Sequence, residues 1–152
     1  MTALELVREL SGDIPLGQDD LLHLFAGLPL DFPIYFRKRL PLTAHRFRMV
    51  GITLLGRVYL LERMRQLPAT TLLPIILHEA VHVRQQRTSP VLFYLRYSLS
   101  VVLGILDIRP DEKLRRRREK SGRFHAAYRS VPYEEEAYRA QFAMQNQLKR
   151  FV

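Results

Sequence analysis

Residues 72–83 read Leu-Leu-Pro-Ile-Ile-Leu-His-Glu-Ala-Val-His-Val, an apolar run that carries two histidines and a glutamate. No other stretch constrains the fold as strongly. The apolar residues demand burial, and burying two imidazoles and a carboxylate among Ile and Val is costly unless a partner satisfies them. On a helix, residues four apart lie on one face. His78 and His82 can therefore offer both imidazoles to one metal ion. Glu79 stands one step round, close enough to reach a water at that metal without being a ligand. Zinc suits two neutral imidazoles and a carboxylate, with the fourth position left to water. The chain has only 5 His, and a random shuffle of its composition yields His-Glu-x-x-His about 0.01 times, so the motif is informative. The competing reading is two ordinary helical histidines, hydrogen-bonded or half exposed.

A third ligand is expected from a nearby helix. Pro132-Tyr133-Glu134-Glu135-Glu136-Ala137-Tyr138 opens the last predicted helix. Acidic residues in a first turn also stabilise the helix dipole, so all three glutamates can be simply solvated. Glu134 shares a face with Ala137, Tyr138, Gln141 and Leu148, the more apolar side. It is the first candidate. Glu135, which shares Tyr138 and Phe142, is the runner-up.

His78-Glu79-Ala80-Val81-His82 with a glutamate on a downstream helix resembles the gluzincin type of zinc metallopeptidase. Many members carry the ligand in a Glu-x-x-Ala-Asp pattern. Glu134 to Ala137 matches it, and Tyr138 stands where the Asp would be. Gln85-Gln86 after the second histidine also resembles short members of the group. The resemblance covers roughly residues 50–150 and implies a minimal zincin-like domain. It further implies Zn2+ held by His78, His82 and Glu134, with Glu79 as general base for peptide-bond hydrolysis. A peptide or protein substrate would be aligned by a strand near the helix, for which residues 46–61 are the candidate. An oxyanion donor is expected just before the ligand glutamate. His125, Tyr128 and Tyr133 are in range, and Tyr128 is preferred because a phenol is a suitable donor. Tyr138 also motivates a third reading: the same fold with zinc bound for structure, or a degenerate site serving as an interaction module.

The remaining pattern sets the frame. Residues 1–10 and Asp20–Ala26 suit short amphipathic helices. Pro29, Pro33 and Pro41 predict an irregular wrap over 27–42. Arg46–Leu61 is rich in β-formers and predicts a strand pair. Thr70 or Thr71 can cap a helix that runs to about Arg87. Ser89-Pro90 then starts an apolar helix over 91–106, and a last helix runs from Pro132 to about Arg150. Residues 111–120 can form a short charged helix. The expected fold is a single α+β domain over residues 1–152, mostly helical, with a short antiparallel β-ribbon ahead of the His-Glu-x-x-His helix. Residues 43–150 form its catalytic core. Residues 1–40 form an N-terminal wrap or a regulatory cover.

Composition narrows the chemistry. The chain of 152 residues has no Cys, which excludes disulfides, thiolate nucleophiles and Cys-ligated metals. It has neither a Gly-rich phosphate loop nor a Gly-x-Ser-x-Gly elbow. Its net charge is +9, with residues 1–40 at −2 and residues 41–152 at +11. The basic run Lys113–Arg118 suits an anionic lipid surface or nucleic acid. Nucleic acid is the weaker partner, since few aromatic residues interleave the run and the histidine motif would go unexplained. The start resembles no signal peptide, and the 91–106 run, interrupted by Arg96, is short of a spanning helix. The expected location is therefore cytoplasmic, with peripheral membrane contact as the second reading.

Overall fold

The computed structural model describes residues 1–41, 49–105 and 131–150. Helix α1 (Ala3–Ser11) opens the chain. Thr2 caps it reciprocally: Glu5 N donates to Thr2 Oγ1 at 3.3 Å, and Thr2 N donates to Glu5 Oε2 at 2.7 Å. The Thr2 cap holds the Glu5 carboxyl below its ordinary range. Ala3, Leu6, Val7 and Leu10 recur at helical spacing and are all buried. Helix α2 (Gln18–Leu24) follows, and buries Leu21.

Three strands come next: β1 (Ile34–Arg37), β2 (Gly51–Leu54) and β3 (Arg57–Leu61). Their order is β1-β3-β2. The β2–β3 hairpin is antiparallel, with Gly51 opposite Leu60 and Leu54 opposite Arg57, as the β-formers predict. β1 lies parallel to β3, with Ile34 opposite Val58. The sequence reading of 27–42 as an irregular wrap is corrected here, and the ribbon is a three-stranded mixed sheet. Pro33 precedes the strand and costs it no ladder bond, while Ile34, Tyr35 and Phe36 are good strand formers.

A 3-10 turn (Glu62–Gln66) leads into α3 (Ala69–Thr88). This helix starts earlier than a Thr70 or Thr71 cap would place it. Pro68 stands at the cap, and no side chain caps the helix. Leu72, Leu73, Ile76, Leu77, Ala80 and Val83 are buried, so α3 is a central helix rather than an amphipathic one. Helix α4 (Pro90–Ile105) and helix α5 (Pro132–Leu148) match the proline punctuation of the sequence. The core joins α1, α2, the sheet, α3 and α5 through Val7, Leu21, Phe32, Leu60, Ile76 and Met144. Residues 1–40 thus supply core side chains. An exposed Arg87–Asp31 pair at 2.7 Å ties the segment ahead of β1 to the end of α3. The fold is α+β. Among the described residues no helix is long and apolar enough to cross a membrane. The predicted charged helix at 111–120 and the basic run lie outside the described residues.

Candidate metal centre

Helix α3 carries His78, Glu79 and His82, and α5 carries Glu134 opposite them. All four side chains are buried, Glu134 to 1% exposure. The pattern that selected Glu134 from its neighbours has a direct structural cause. Ala137 and Leu148 on its face are buried too, so α5 turns that face onto α3. Glu135 is half-buried and does not join the group. Glu136 is neither a ligand candidate nor merely solvated: it accepts from Arg84 and from Gln85 of α3.

His78 Nε2 and His82 Nε2 are 3.1 Å apart. His78 Nε2 lies 3.4 Å from Glu134 Oε2, and His82 Nε2 lies 3.2 Å from Glu134 Oε1. Donor atoms of a tetrahedral zinc site with bonds of about 2.0–2.1 Å stand roughly 3.3 Å from one another. The spacing of this cluster therefore fits a single ion. Two atoms of the cluster residues, His78 Nδ1 and Glu134 Oε2, are buried without a hydrogen-bond partner among the described residues. A bound cation would satisfy the carboxylate oxygen.

The surroundings orient these groups. His82 Nδ1 is 2.8 Å from Gln85 Oε1. Gln85 Nε2 donates to Glu136 Oε2 at 2.7 Å and to the Tyr133 carbonyl at 3.2 Å. With its nitrogen committed to two acceptors, Gln85 must present its oxygen to His82. His82 Nδ1 is then the protonated nitrogen and Nε2 faces the cluster. Tyr97 of α4 donates its hydroxyl to Glu134 Oε1 at 2.8 Å. Tyr138 sets its ring against His78, with centroids 4.6 Å apart. The residue that replaces the expected Asp therefore packs against a histidine of the cluster.

Thr53 Oγ1 donates to Glu79 Oε2 at 2.6 Å. Gly51, two residues earlier on the same face of β2, lets the strand approach. A Cβ there would stand 2.8 Å from Glu79 Oε1 and 2.6 Å from Leu60 Cδ2. Gln86 fixes the hairpin to α3 by donating to the Thr53 carbonyl and accepting from Gly56 N.

Electrostatics bind the cluster. Burial disfavours charge on His82, but the Glu134 carboxylate, helped by Glu79 and Gln85, overrides burial and raises the imidazole to about 9. Burial likewise opposes charge on Glu134, yet His82 and His78 hold it well below the ordinary carboxylate range. Both shifts favour a positively charged His82 beside a negatively charged Glu134.

The structure brings together His78, His82 and Glu134 and places Glu79 beside them on α3. Tyr133 packs its ring on Phe93, at 4.9 Å between centroids. Tyr128 and His125 lie outside the described residues. Sequence reasoning assigned no role to Thr53, Gln85 or Tyr97. Gln85 was within reach of it, three residues past His82 on the same face. Comparison of the chain with protein-family models, curated proteins and solved structures finds no match.

Proposed function

We propose that this chain is a minimal zincin-like metallopeptidase that hydrolyses peptide bonds. The observation that carries the reading is the convergence of His78 Nε2, His82 Nε2 and the Glu134 carboxylate in a buried cluster, at spacings of 3.1–3.4 Å. His78, His82 and Glu134 would hold the ion, and Glu79 stays free of it. When bound, zinc lowers the pKa of water to about 7 and polarises the scissile carbonyl. Glu79 takes the proton of the attacking water and delivers it to the leaving amine. Thr53 fixes that carboxylate through Oε2, which limits the ways it can turn.

Strand β2 is an edge strand. Ladder alternation turns the backbone groups of Gly51 and Thr53 outward, and Gln86 already takes the Thr53 carbonyl. A peptide substrate would pair along the Gly51 end, beside Glu79. The test is hydrolysis of a mixed fluorogenic peptide library by the zinc-loaded chain and by Glu79→Gln. Hydrolysis that falls at least about 100-fold in a variant with zinc still bound supports the reading. Equal turnover by the variant overturns it.

A further inference from the structure

Helix α4 has two unlike faces. One looks onto the candidate metal centre: the Phe93 ring lies 6.4 Å from that of His82, and Tyr97 bonds Glu134. At about 100° per residue, Val91, Leu95, Leu99 and Val102 fall together on the other side. They are 79, 62, 53 and 48% exposed. Leu92 is exposed at the margin of this stripe. Scattered exposed leucines are ordinary, but a stripe along three turns of one helix is a candidate contact face.

The β2–β3 turn extends the pattern. Leu55 has φ of 51°, a conformation in which Asn or Gly is the usual residue, and its side chain is 74% exposed. Its N–H donates to Tyr94 Oη of α4 at 2.8 Å, so the hairpin tip is tied to that helix. An exposed leucine thus occupies a strained position beside an exposed apolar helix.

The charge of the chain identifies the occupant. Residues 106–130, which follow α4 directly in sequence, carry nine Lys and Arg against four Asp and Glu. A second copy of the chain carries the same net charge of +9 and would be repelled. Anionic headgroups would complement it, with apolar side chains entering the acyl boundary. Arg96, exposed next to Leu95, can lay its stem along the stripe and keep its guanidinium among the headgroups. We propose that the exposed face of α4, with Leu55, docks on an anionic lipid surface. The helix lies in the plane of the interface, and the face bearing Phe93 and Tyr97 stays turned to the protein.

The chain has no Trp, so a single introduced Trp reports on this face alone. In the chain of residues 1–152, Leu95→Trp should emit as an exposed indole in buffer. It should shift to the blue with vesicles containing phosphatidylglycerol, and stay unshifted with pure phosphatidylcholine. Sedimentation of the native chain with the anionic vesicles should fall on the order of tenfold in Leu95→Asp/Leu99→Asp, and also in high salt. Both substituted residues are exposed, so an unchanged circular dichroism spectrum separates lost docking from lost folding. Three results would overturn the proposal. One is no binding to anionic vesicles. Another is full binding by the double variant with its fold intact, which would assign the contact to the basic run alone. The third is a Leu95→Trp emission already blue-shifted without lipid, which would mean that the chain or a second copy covers the face.

Discussion

Thr53 on the edge strand holds the carboxylate of Glu79 on the central helix through a 2.6 Å hydrogen bond. The contact joins residues 26 positions apart and makes the hairpin a support for the proposed base. Thr53→Val keeps the shape and removes the donor. Turnover should drop about tenfold to 100-fold, as for other partners that orient a reacting group, while zinc content stays unchanged. Steady-state kinetics beside metal analysis checks this. Gly51→Ala should also lower turnover, because the added methyl displaces Glu79 or Leu60.

Gln85 and Tyr97 orient His82 and Glu134 from two different helices. Gln85→Leu should weaken zinc binding about 10–100-fold, and Tyr97→Phe should weaken it by a smaller factor. Competition against a chromophoric chelator measures both. Equal affinity in native chain and Gln85→Leu would remove Gln85 from the role.

In the proposed metal centre, zinc and a proton would compete for His82. With its pKa raised to about 9 in the metal-free fold, His82 is protonated at pH 7. Zinc binding at pH 7 should therefore release about one proton, and the release should fade above pH 9. Calorimetry in two buffers of different ionisation enthalpy measures it. The stability follows the same sign. A folded pKa above the unfolded value near 6.5 stabilises the metal-free chain fully below about pH 6.5, and the contribution is lost as pH rises through about 9. The melting temperature of the chelated protein should fall across that window.

The N-terminal segment supplies core side chains, with Val7, Leu21 and Phe32 fully or almost fully buried. Phe32→Ala should cost about 3–5 kcal/mol, read from the urea midpoint. Removal of residues 1–40 should leave a chain without cooperative unfolding. A folded, more active truncated chain would instead make the segment a regulatory cover.

The long helices and the meeting of His78, His82 and Glu134 were legible in the sequence because they rest on local rules. Prolines at 90 and 132 mark helix starts, four-residue spacing aligns the histidines, and Ala137 with Leu148 marks the buried face of α5. Strand β1 was not legible. It has four residues, prolines flank its region, and its partner β3 is over twenty residues away in sequence. Thr53 and Tyr97 were hidden for a similar reason. Each acts across a tertiary contact, and a threonine in a strand or a tyrosine in an apolar helix looks ordinary until Glu79 of α3 meets the first and Glu134 of α5 meets the second.

The most direct measurement is zinc per chain, by elemental analysis of protein purified without chelators. The expected result is close to one zinc per chain, lost in Glu134→Ala while the helical content remains. A stably folded chain that contains no zinc and takes up none when it is added would contradict the metal centre and the peptidase reading built on it.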